Sequence, residues 1–242
     1  MANFRRHVEI ATIASGMFST ICLGAGMVSG DQALALWIAG TLGGILPDID
    51  SDSSSALDIV FCMVSLFCVF LIIANLHAQY STLILWGACG LGYLAVNFVL
   101  RPLFEATTVH RGIFHSILGG LFFAFSTVDL AFHFGGQPAL FSWLLGSFVL
   151  IGFLIHLVLD ELYSVDLSNT TMKRSFGTAL KLFDYRNYFI STLMALAVVG
   201  SFAISPTATH FYRTITDIKT FRHIQKSFFP PDIKKFWSLK SS

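Results

Sequence analysis

Residues Ile59 to Leu100 read IVFCMVSLFCVFLIIANLHAQYSTLILWGACGLGYLAVNFVL, with no Asp, Glu, Lys or Arg among them. A bilayer hydrocarbon core of about 30 Å takes about 20 apolar residues of helix. The stretch is therefore long enough to cross twice, with a turn near His77-Ala78-Gln79 and an end at Arg101 and Pro102. The rest of the chain has the same character: 242 residues, 55% hydrophobic, only 12% charged and with 25 Phe, at a mean hydropathy of +0.71. A soluble domain carries about 25% charged residues. The composition thus predicts an integral membrane protein.

Working outward, further apolar runs span Ile10 to Gly30, Gln32 to Pro47 (shorter and rich in Gly and Ala), Ile113 to Val128, Leu140 to Leu159 and Tyr188 to Ser205. The expected fold is all-α, a polytopic transmembrane helical bundle of six or seven helices with an interfacial C-terminal tail. Arg5 and Arg6 before the first run would suit a secretion signal, but no small-x-small exit follows, so the run reads as the first transmembrane helix. Residues 1–205 then form the membrane domain. Residues 206–242 form a basic, aromatic tail, whose apolar stripe Phe211, Ile215, Ile218, Phe221, Ile224 and Phe228 predicts an amphipathic helix at the membrane interface. Such a tail would bind membrane lipid or a protein partner.

The net charge of +1 gives no field for nucleic acid. Cys22, Cys62, Cys68 and Cys89 lie in apolar runs without a CxxC pair and read as packing residues. Counting Lys and Arg in the short loops puts Arg5, Arg6, Arg101, Arg111, Lys173, Arg174, Lys181 and Arg186 on one face, which the positive-inside bias makes cytoplasmic. The tail strains this topology. Either Tyr188 to Ser205 does not cross, or the tail's many cations are exported.

Four polar islands interrupt the apolar pattern on that same face: His7, Pro47-Asp48-Ile49-Asp50, His110-Arg111-Gly112-Ile113-Phe114-His115-Ser116, and His156 with Asp160. Ionisable groups near hydrocarbon cost about 2.5–3.5 kcal/mol each at a helix centre unless they are paired. His156 and Asp160, four apart, share one helix face. His110 and His115 converge if the first lies in the loop and the second in the first helical turn. Asp48 and Asp50 follow a proline in a segment expected to be extended, with one binding metal and the other orienting a ligand or bridging two ions. The candidate metal ligands are His7, Asp48, Asp50, His110, His115, His156 and Asp160, nitrogen and oxygen donors suited to a divalent metal, Zn foremost, with Mn or Fe as alternatives. Seven donors exceed the needs of one catalytic ion and suit two. Arg111 is the candidate clamp for an anionic substrate. Glu9, Asp52, Asp58 and Glu161 are candidate outer partners.

GGILPDID (Gly43 to Asp50), HRGIFHS (His110 to Ser116) and HLVLDEL (His156 to Leu162), with the early His7, resemble the YdjM-type family of small bacterial inner-membrane proteins, described as membrane-bound metal-dependent hydrolases. The resemblance covers residues 1 to about 165. It implies a bacterial inner (plasma) membrane location and a hydrolase, with Arg111 and Asp50 as the candidate catalytic residues. A site at the membrane interface points to a phospholipid or lipid-linked phosphate as substrate. Two other readings stay open: a cation transporter or channel using the same His/Asp cluster, and a metal-stabilised membrane scaffold.

Overall fold

The computed structural model describes residues 4–50, 54–107, 112–166, 171–172 and 180–228. The described residues form helices α1 (Phe4–Gly24), α2 (Gly30–Gly43), α3 (Ser54–Leu76), α4 (Thr82–Ala95), α5 (Arg101–Thr107), α6 (Ile117–Asp129), α7 (Ala139–Ser164), α8 (Tyr188–Ile204), α9 (Thr209–Thr216) and α10 (Ile218–Phe228). A two-residue antiparallel ladder pairs Val165–Asp166 with Thr171–Met172. The helical membrane bundle expected from composition is present. Five helical stretches are long and apolar enough to span a bilayer, and a sixth results if α8 and α9 count as one bent span. Helix α2, with 14 residues, is about 21 Å long and shorter than the hydrocarbon core.

Two apolar runs continue past the point where charge or proline was expected to end them. A π-helical turn, Val96–Leu100, joins α4 to α5, so the span runs from Thr82 to Glu105 through Arg101 and Pro102. The wide turn re-sites the carbonyls that a proline ring would otherwise meet. Arg101 is neutralised in place by Asp58 at 2.6 Å and Glu105 at 2.9 Å. A second π turn, Leu130–Phe134, likewise carries the α6 span beyond Asp129 to Phe134.

The packing centre is α7, the most buried of the candidate spans, which lies against α1, α2 and α6. Its approach to α2 leaves no room for side chains. A Cβ on Gly152 would stand 2.9 Å from Gly44 N and closer still to Gly40 O, and one on Gly43 would stand 2.9 Å from Val149 Cα. Small residues let membrane helices approach this closely, where dispersion contacts and short hydrogen bonds replace the absent hydrophobic drive. Leu36, Phe148, Phe153 and Leu157 fill the buried volume on either side.

The α3–α4 hairpin joins the bundle through its open end. There Leu57, Val60, Phe61 and Val96 cluster with Ile45 and Ile49, and Phe104 packs on Phe61 and Phe114. Within the hairpin Asn97 donates to Ser65 Oγ at 2.8 Å. Leu83, Trp86, Leu91 and Phe98 are exposed along its length, as lipid-facing side chains would be.

At the other end of α6, Asp129 is buried and accepts hydrogen bonds from Ser201 and, at 2.6 Å, from Ser205 of α8 and its C-cap. His133 Nε2 donates to Ile204 O at 2.9 Å, and Trp143 Nε1 donates to Pro206 O at 2.9 Å. The first satisfies a carbonyl that the last turn of α8 would leave bare, and the second one just beyond its C-cap. The chain then bends by 86° into α9.

Candidate metal centre

Local sequence fixes each donor. His7 lies in the first turn of α1 and is buried. Beyond the end of α2, Leu46–Asp50 winds into a 3-10 helix rather than the expected extended stretch, because Pro47 suits a first helical turn. Asp48 projects from it, half-buried. His115 comes just before Ser116, the N-cap of α6, and not in the first helical turn as expected. Ser116 Oγ accepts from Gly119 N–H, which starts the helix one residue later. Lys181 O and Leu182 O accept from Ile117 and Leu118, satisfying further bare donors there. His156 and Asp160 sit one turn apart on α7, as their spacing predicts, and both are buried.

These five side chains meet. His7 Nε2 stands 3.2 Å from Asp160 Oδ1, His115 Nε2 is 3.2 Å from Asp160 Oδ2, and His156 Nε2 is 3.5 Å from Asp48 Oδ1. The His7 and His156 rings stack at 3.8 Å between centroids and 16° between planes, and the His115 ring stands edge-on to His156 at 5.5 Å. Two trios, His7/His156/Asp160 and Asp48/His115/His156, each bring their donor atoms within 4.8 Å of one another, and His156 belongs to both. Donors around one ion at about 2.0–2.2 Å stand up to about 4.4 Å apart, so either trio needs only a small contraction to hold one.

Backbone carbonyls set the histidine tautomers. His156 Nδ1 lies 2.7 Å from Gly44 O, and His115 Nδ1 lies 3.3 Å from Pro47 O. A carbonyl only accepts, so each Nδ1 carries the proton, and in a neutral ring each Nε2 presents a lone pair. Both Nε2 atoms lie near carboxylate oxygens, which also only accept. His156 Nε2, both His7 ring nitrogens and Asp160 Oδ1 make no hydrogen bond despite their burial. At 3.2 Å the His7–Asp160 approach is close in distance, but its angles make no hydrogen bond. The atoms converge on a common space rather than on one another. The group could hold a metal ion there.

Protonating all three histidines would stack His7 and His156 as like charges. One divalent ion with three neutral imidazoles and two carboxylates is electrically neutral, the cheaper arrangement in a low-dielectric site. A donor set of three imidazoles and two carboxylates fits Zn, Mn or Fe.

Of the other sequence candidates, His110 and Arg111 lie outside the described residues, as does the side chain of Asp50. Glu9 pairs with Arg5 at 2.7 Å and Asp58 with Arg101, so neither belongs to the cluster. Asp52 also falls outside the described residues. Residue spacing does not reveal that Gly44 O and Pro47 O orient the imidazoles. The available signal is the motif GGILPD itself, in which Gly43 admits α7 and Gly44 admits Ala11 of α1.

The sequence profile of the YdjM inner membrane protein family matches residues 12–195. The chain belongs to the YdjM inner membrane protein family. Four of the five clustered donors fall inside that match, and His7 lies five residues before it. No curated protein and no solved structure matches the chain. Membership of the YdjM family therefore supports the membrane location, and the chemistry rests on the cluster.

Proposed function

We propose that this YdjM-family protein is a membrane-embedded metal-dependent hydrolase acting on a phosphoester of a phospholipid or lipid-linked phosphate. The observation that carries it is the buried meeting of His7, His115, His156, Asp48 and Asp160, with imidazole nitrogens 3.2–3.5 Å from carboxylate oxygens. His7, His115 and His156 with Asp48 and Asp160 would hold the ion. When bound, a divalent ion lowers the pKa of a water towards about 7 and polarises a phosphoryl or carbonyl oxygen. The charge balance of the described donors suits one ion. A second would call for further anionic groups, of which Asp50 is the nearest in sequence.

Asp48 is the most exposed of the five donors, its side chain being 15% accessible against 6% or less for the rest. A substrate would therefore reach the cluster past Asp48. Arg111, four residues before His115, would neutralise a phosphate oxygen. Arg5, Arg6, Arg101, Lys181 and Arg186 sit at the same end of the bundle, which we assign to the cytoplasmic face.

The test is elemental analysis of purified protein, wild type beside His115→Ala, His156→Ala and His77→Ala, followed by phospholipid hydrolysis with the metal found. His77 is exposed at the end of α3, bonded to Ile73 O, and serves as the control. Stoichiometric Zn, Mn or Fe in wild type and His77→Ala only, together with release of phosphate or headgroup, is the expected result. Equal metal in all four proteins would refute the site.

A further inference from the structure

Helices α9 and α10 lie at the end of the bundle opposite the metal centre. Phe211 of α9 stacks on Trp143 at 6.1 Å, and Trp143 is 17 residues before Asp160 on α7. Ser227 of α10 lies against Gly24, 17 residues beyond His7 on α1. At a rise of roughly 1.5 Å per residue, both helices put about 26 Å between tail and metal centre. That is close to a hydrocarbon thickness of about 30 Å. Helix α8 covers the same distance, from the 180–184 strap beside His115 to the Asp129–Ser201–Ser205 cluster. Of the two topologies open in the sequence, this is the one in which α8 crosses.

The 86° bend after α8 lays α9 across the bundle end, in the plane of the interface rather than along the span. Phe211 and Ile224 turn partly inward, while Tyr212, Ile215, Ile218 and Phe221 stay 46–66% exposed. Arg213, Lys219 and Arg222 flank this apolar stripe. Asp217, the one acid of residues 206–228, accepts from Lys219 N–H and so serves the start of α10.

We propose that α9 and α10 form an in-plane anchor that binds anionic phospholipid headgroups on the membrane face opposite the metal centre. Exposed aromatic and aliphatic side chains sit at acyl depth, with cations at headgroup level. The opposite sign of charge on the lipid selects this occupant over a second copy of the chain, whose own tail would bring the same cations.

The test uses the full chain in nanodiscs of phosphatidylcholine alone or with phosphatidylglycerol, reading amide hydrogen exchange over residues 209–228. Phosphatidylglycerol is expected to slow exchange. The variant R213Q/K219Q/R222Q is expected to lose that lipid dependence more than tenfold, at about fivefold per charge removed. Exchange that ignores phosphatidylglycerol overturns the headgroup site, and protection that tracks protein concentration instead assigns the surface to a second copy. In parallel, with the four native cysteines replaced, R186C and T216C are probed in spheroplasts with an impermeant maleimide. Labelling of one alone supports opposite faces; labelling of both from outside overturns them. Because I218D/F221D removes apolar anchorage without touching the cations, it keeps the test informative if the charge variant fails to fold.

Discussion

Replacing Gly152 by alanine probes how closely α2 and α7 are packed to build the centre. The new Cβ would stand 2.9 Å from Gly44 N and closer to Gly40 O, where ordinary contact begins at 3.4 Å. The helices must part by at least about 0.5 Å, since neither obstacle is a flexible side chain. The 2.7 Å bond from His156 Nδ1 to Gly44 O then stretches to the end of the ordinary range at about 3.2 Å or beyond. Overpacking costs about 1–3 kcal/mol, and a weakened bond at a buried carbonyl costs up to about 1–3 kcal/mol more. Better helix propensity returns at most about 1 kcal/mol. The net loss is large beside a total stability of about 5–15 kcal/mol. An imidazole that loses its orienting partner lowers metal affinity by about 10–100-fold. Thermal unfolding in detergent and metal titration of the same preparation read both effects. Gly200→Ala on α8 is the comparator, because its Cβ would meet nothing within 4 Å. Gly152→Ala with wild-type melting temperature and metal affinity would refute the close approach and the role given to Gly44 O.

Other consequences are as accessible. Neutral imidazoles bind metal and imidazolium does not, so bound metal should fall as the pH is lowered; dialysis at graded pH checks it, and retention that does not change with pH speaks against histidine ligation. Asp129→Ala strands the hydroxyl of Ser201 and leaves that of Ser205 with Ser201 O alone and should cost about 1–3 kcal/mol in thermal unfolding, with metal content unchanged. Arg101→Ala breaks pairs with the exposed Asp58 and Glu105 and should cost less than about 1 kcal/mol, measured by the same melt. Asp160→Asn removes a carboxylate shared by His7 and His115 and should lower the bound metal more than His7→Ala does.

Much of the bundle is legible in the sequence because a bilayer imposes one strong rule, an uninterrupted apolar run, and Ile59 to Leu100 obeys it. The rule fails where a cost is met locally. Arg101 and Asp129 occur inside helical spans because Asp58, Glu105, Ser201 and Ser205 answer their charges, and all of these partners but Glu105 are distant in sequence. Five of the proposed ligands were visible as ionisable groups that an apolar chain should avoid. His115 was displaced by one cap from its expected turn, since a serine hydroxyl bonding to Gly119 decides where α6 starts. The orienting carbonyls of Gly44 and Pro47 carry no residue signature, because every residue has a carbonyl and only packing chooses which one faces an imidazole.

The five donors occur at positions 7, 48, 115, 156 and 160 along the chain. During synthesis the nascent polypeptide holds no complete trio until His156 has emerged, because that one ring belongs to both. Any metal loading would thus be a late event in biogenesis, possible only after α1, α2 and α6 have found α7. An ion captured there would act as a clasp, raising the barrier to pulling the finished protein back out of the bilayer.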